Sequence, residues 1–172
     1  MTASHAAASH AAASHAMPGM EKGHYLRLAA MIGLSFVAMY VLMYAMVDVL
    51  GNALPNLNQA YMAGLMTAPM LVLELLLMGH MYANKKLNAG LIIGGLLLLV
   101  LAWVGIRQQV AIGDEQFLRS MIPHHASAIL MCKQAPLRDP EIQQLCRQIM
   151  TSQQGEIDQM KARLEALDSG RR

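Results

Sequence analysis

The stretch LIIGGLLLLVLAWVGI, Leu91 to Ile106, carries no charge and no proline, and its length decides what kind of protein this is. It is the centre of an apolar run from Ala89 to Ile106, and two similar runs precede it, Leu28 to Val47 and Ala63 to Tyr82. Each approaches the ~20 residues that an α-helix needs to cross ~30 Å of hydrocarbon. The second holds Pro69 and Glu74, yet its length and flanks still read as a span. With 55% hydrophobic and 14% charged residues among 172, the chain is too apolar for an ordinary soluble domain. The sequence therefore predicts an all-α protein with three transmembrane helices.

Orientation follows from the basic residues beside the spans. Lys22 and Arg27 precede the first span, and Lys85 and Lys86 fill the short ANKKLN loop before the third. The loop GNALPNLNQA between the first two spans has no basic residue. The N-terminus and the ANKKLN loop are thus expected in the cytoplasm of a plasma (inner) membrane protein. The C-terminal region is expected outside, in the periplasm where there are two membranes. A net charge of +2 with scattered basic residues gives no nucleic-acid footprint.

Residues 1–16 read MTASHAAASHAAASHA, a five-residue repeat that walks His5, His10 and His15 around a helix. It has no apolar face to bury and is expected to be a mobile tail, over 1–24. It also lacks the apolar core and cleavage site of a secretory signal peptide. With Met17, Met20 and His24 it offers a second, cytoplasmic donor set, for which a solvated tail is the simpler reading.

Beyond the third span the pattern turns amphipathic. Phe117, Leu118, Met121, Ile122, Ile129 and Met131 recur at helical spacing after Asp114, a candidate N-cap, and Pro123 is expected to kink this helix. APLRDPE is a turn, in which Asp139 is a good N-cap and Pro140 suits the first helical position. A second helix then runs to about Leu167. The expected organisation is a tail over 1–24, a membrane region over 25–112 and a helical hairpin domain over 113–168.

Cys132 and Cys146 flank the turn at nearly mirrored distances. An antiparallel hairpin in an oxidising compartment makes a disulfide plausible; a soft-metal thiolate pair and two buried thiols stay open as alternatives. If the cysteines face each other, His125 lies opposite Gln153 and Met121 opposite Ile157, one turn from Met160. Met121 and His125 share a face, His124 points about 100° away, and Gln153, Glu156 and Met160 form a stripe. The candidate metal set is therefore Met121, His124, His125, Gln153, Glu156 and Met160. Thioethers select Cu(I) and imidazole accepts several transition metals. Glu156 has a second reading, as an acceptor that orients a histidine ring. The plainer alternative is that the methionines fill core gaps and the histidines are half-exposed.

At MIPHH (Met121 to His125), DPEI (Asp139 to Ile142) and QQGEIDQM (Gln153 to Met160) the chain resembles the family called domain of unknown function 305. The likeness covers about Asp114 to Leu167. It implies a ferritin-like helical fold, here a single hairpin or half of a four-helix bundle, and copper binding through His and Met as in some periplasmic members. Larger relatives carry two hairpins, whereas this chain has one. YMAGLMTAPMLVLELLLMGHMY also looks like the membrane-anchored members. A hairpin of this size makes a marginal core alone, so a homodimer joined through the outer hairpins is expected, with a monomer whose hairpin lies on its own spans or on lipid headgroups as the alternative.

In the membrane part Met62, Met66, Met70, Glu74 and Met78 recur every four residues, and Met39, Met43 and Met46 share a face of the first span. His80 closes the second span. A carboxylate within a span faces a bundle interior or cavity as a rule, so these residues form a candidate membrane path for Cu(I), with ordinary packing as the alternative. Gly90, Gly94 and Gly95 read as close-packing positions. The function the sequence supports is a membrane-anchored, copper-handling binding protein, with metal ion, lipid and a second copy as partners. Competing readings are a structural, partner-docking membrane protein and a ferritin-like metal oxidase. The oxidase is disfavoured because the hairpin carries no Glu-x-x-His and only Glu156 lies on the inner stripe.

Overall fold

Asparagine and aspartate side chains begin three of the five helices. The Asn56 side chain accepts from the Gln59 amide, Asn84 from Leu87, and Asp139 from both Glu141 and Ile142. Each such cap satisfies donors that a helix start leaves unpaired and is worth about 1 kcal/mol. The computed structural model describes residues 18 to 170. Among them α1 is Pro18–Leu42, α2 Leu57–Leu77, α3 Lys85–Gln108, α4 Asp114–Gln134 and α5 Pro140–Ser169, with no strand. The His/Ala repeat, and with it the expected mobile tail, lies outside the described residues.

Three helices are long and apolar enough to cross a membrane: Gly23–Met46, Leu57–Leu77 and Lys85–Gln108. The first finishes as a 3-10 turn over Met43–Met46. Leu34, Val37, Leu97, Leu101 and Trp103 on these helices are all more than half exposed. Side chains of this kind, unburied over whole helices, need an apolar medium around them.

Small residues let α2 and α3 approach. A Cβ on Gly105 would come within 3.1 Å of the Tyr61 ring, and one on Gly95 within 3.0 Å of Val72. Gly64 lies against Ala102 of α3 and Phe36 of α1. Of the glycines expected to pack closely, Gly95 does. Gly90 and Gly94 face open space, because they sit on the side of α3 turned away from α2. At the end of the bundle far from α4, the Tyr25 hydroxyl donates to Asn88 at 2.6 Å and Asn88 donates to the Tyr82 carbonyl at 2.9 Å.

The link from α3 to α4 turns sharply. Gln109 and Ala111 have φ of 50° and 56°, the positive-φ positions among the described residues. Side chains in this left-handed region cost about 1 kcal/mol or more each, so the surroundings must hold them there. Asp114, expected as a cap, is the first residue of α4; Gly113 occupies the cap position and offers no side chain. The Asp114 carboxylate still favours the helix start through the dipole. The helix continues unbroken through Pro123.

α4 and α5 form an antiparallel hairpin around Ile122, Ala126, Ile129 and Ile157. The sequence left the cover of this small core open between a second copy and the chain's own apolar helices. In the structure Val47 and Leu54, from the loop between α1 and α2, pack against it together with Met150 and Met160. The hairpin therefore contacts the loop that joins the first two apolar helices. Lys133 lies 3.5 Å from Asp48 of that loop, whose carboxylate also accepts from the Asn52 side chain and the Val49 amide.

Candidate functional site

The disulfide between Cys132 and Cys146, with Cα atoms 5.3 Å apart, joins the hairpin near its turn. Bonded to each other, these sulfurs are not metal ligands. The register they set carries on toward the apolar helices, where Ile122 and Ile157 share the core.

His125, read as a ligand, is buried and fully engaged. Its Nδ1 donates to the Met121 carbonyl at 2.9 Å, and its Nε2 lies 2.7 Å from Oε2 of Glu156 rather than against Gln153. The other Glu156 oxygen accepts from the Ser152 hydroxyl at 2.8 Å. The Ser152 hydroxyl first and the His125 ring second hold the Glu156 carboxyl below its ordinary range, against a smaller opposing effect of burial. While these contacts stand, both ring nitrogens are engaged and neither is open to a metal. Met160 packs on the core and Gln153 is half-buried. Among the described residues no three His, Cys, Asp or Glu side chains converge. The six donors that the sequence assembled inside the hairpin are thus divided.

His124 and Met121 go to the other side of α4. They line an open cavity of about 420 Å³ between the hairpin and the apolar helices, facing Met43 and Met46 in the 3-10 turn after α1 and Met62 on α2. Asn58, Gln59, Gln109 and Ser120 complete its polar wall. Several of these polar groups satisfy one another: Asn58 donates to Gln109 at 3.0 Å and to Ser120 at 3.3 Å. His124 is exposed, and its ring makes an edge contact with the His125 ring, centroids 6.0 Å apart. Beside Asn56, Ser127 and the apolar Val47, Ile106 and Pro123, the lining holds four thioethers and an imidazole. That is a soft-to-borderline set, suited to Cu(I) and poor for Mg²⁺ or Ca²⁺.

The membrane methionines are only partly drawn in. Met43, Met46 and Met62 reach the cavity. Met39 and Met70 are half-buried a turn or two deeper, and Met66 is exposed on α2. Glu74 accepts from the Tyr82 hydroxyl at 3.2 Å, which gives the carboxylate a protein partner within the bundle. Met78 is the C-cap of α2, and His80 is exposed in the 3-10 turn Gly79–Met81. The stripe thus stops being helical below Leu77. The polar wall residues Asn58, Gln59 and Gln109 escaped the sequence reading. Their only signal was an uncharged polar loop beside a very short α3–α4 link.

Residues 106–168 match the family described as Domain of unknown function (DUF305). The chain is also 39% identical over 139 residues to Uncharacterized protein L153 of Acanthamoeba polyphaga mimivirus, covering 78% of this chain and 89% of that protein. That alignment is more than twice as long as the family match, so it includes much of the apolar region. No solved structure matches the chain.

Proposed function

This chain belongs to the DUF305 family, and we propose that it is a membrane-anchored protein that captures copper at the outer face of the membrane. Residues 25–112 act as the anchor and the ferritin-like hairpin over 113–168 as the outer domain. The observation that carries this reading is the cavity in which Met121 and His124 of α4 face Met43, Met46 and Met62. A single methionine against a core is filler. Four around an open space, beside an exposed imidazole, are a ligand set. The thioethers select the reduced ion, so the cargo is Cu(I). A cavity of about 420 Å³ is far larger than one ion. Methionine's three rotatable bonds let the sulfurs close around it without moving the backbone.

The test is the metal content of the full chain, purified in detergent, loaded with Cu(I) under a reducing atmosphere and desalted. The wild type is expected to retain copper, and a variant carrying Met121→Leu with His124→Asn to lose most of it. A wild type that retains none would overturn the reading.

A further inference from the structure

We propose that Cu(I) in this cavity bridges two bodies and that its capture locks the hairpin onto the membrane helices. The inference rests on the copper reading above and adds how binding is regulated.

The donors are divided between structural units. Met43, Met46 and Met62 belong to the membrane bundle, whereas Met121 and His124 ride on α4. A metal that uses both groups is a cross-link, and its affinity depends on docking. Without it, the two bodies meet largely through polar contacts. The Gln116 side chain accepts from the Leu57 amide at 3.0 Å, Asn58 donates to Ser120, and Lys133 sits 3.5 Å from Asp48. The Lys133 side chain is half exposed, so water competes for that pair. Val47 and Leu54 add a modest apolar contact to the hairpin core.

Gln109 and Ala111 both hold left-handed backbone within the short link between α3 and α4, and Gln109 also lines the cavity. Gln109 there caps α3, its amide bonded to the Gly105 carbonyl, so the docking balance is set by the contacts across the junction. A ligand that binds only the docked form shifts this balance by its differential affinity. Capture and closure are then one event, and release of the metal reopens the junction.

Hydrogen–deuterium exchange of the full chain in detergent tests this, without metal, with Cu(I), and with Ag(I) as a redox-inert thioether ligand. Copper content is measured on the same samples. Both ions are expected to slow exchange several-fold in the loop 47–56 and in the first half of α4. Met43→Leu with Met46→Leu, on the bundle side, and Met121→Leu with His124→Asn, on the hairpin side, should each abolish that protection and weaken Cu(I) at least tenfold. Metal-free exchange profiles matching the wild type establish that the variants fold. If copper binds but protection is absent, or survives loss of either donor half, the bridge is wrong while the copper reading stands. If no copper binds at all, both fall.

Discussion

His125 Nε2 and Glu156 Oε2 lie 2.7 Å apart and join α4 to α5 across the flank of the hairpin. With Nδ1 donating to the Met121 carbonyl, the ring holds the backbone of the residue whose side chain lines the cavity. The pair therefore positions a candidate ligand without being one.

Acid should expose this. The Glu156 carboxyl is held below its ordinary value of 4.5 by Ser152 and then His125. A depressed carboxylate contributes stability that is present above the unfolded value and lost as pH falls through the folded one. Thermal unfolding followed by circular dichroism from pH 7 to pH 3 should show wild type above Glu156→Gln at neutral pH. The two should converge below pH 4.5. A constant offset at every pH would mean that Glu156 acts by packing alone.

Packing between α2 and α3 makes a sharper contrast. The side chain introduced by Gly95→Val must push against Val72 and Leu71, whereas that of Gly94→Val enters open space. Overpacking costs roughly 1–3 kcal/mol, so the Gly95→Val melting temperature in detergent should fall by several degrees and the Gly94→Val value should hold. Equal effects would show that the helices pack elsewhere.

That contrast also shows what a sequence can and cannot say. Length and composition gave the three apolar helices, because hydrocarbon thickness is a one-dimensional constraint. Amphipathic periodicity and the APLRDPE turn gave the hairpin, and the mirrored cysteines its register, because an antiparallel pair fixes one. Which glycine faces a neighbour, or whether His124 or His125 faces the cavity, depends on the rotation of whole helices. No periodicity in the chain states that Met62 and Met121 share a space. The link from Gln109 to Gly113 and the seating of Val47 and Leu54 on the hairpin core decide it.

The disulfide should matter chiefly to the hairpin. It closes a loop with a sequence separation of 14. In the chain-entropy model a loop of ~15 residues contributes about 3 kcal/mol. Cys132→Ser with Cys146→Ser should lower the midpoint of hairpin unfolding clearly, while the apolar helices stay folded. Chemical denaturation followed by exchange of α4 and α5 amides separates the two parts. A variant as stable as the wild type would assign the hairpin's stability to Asp48, Val47 and Leu54.

Orientation can be read from one residue. Lys85 and Lys86 at the start of α3, against a loop before α2 with no basic residue, lead us to expect the hairpin outside. The thiol introduced by Ser169→Cys, near the end of α5, should react with a membrane-impermeant thiol reagent in intact cells. Labelling only after lysis would invert the topology and place the disulfide in a reducing compartment.

Metal preference separates ligands from fillers. Met121 lines the cavity, while Met160 packs on the hairpin core. Leucine is close to methionine in volume, so either exchange should cost less than about 1.5 kcal/mol of stability. Losing one thioether ligand should weaken Cu(I) by about tenfold, roughly 1.4 kcal/mol, and leave Zn(II) nearly unchanged, since zinc favours imidazole, thiolate and carboxylate. Met121→Leu should therefore narrow the preference for Cu(I) over Zn(II), and Met160→Leu should not. His124→Asn should weaken both ions, because imidazole serves either. Competition titrations with chromophoric chelators measure all three. Equal Cu(I) affinities for Met121→Leu and Met160→Leu would place the copper somewhere other than this junction.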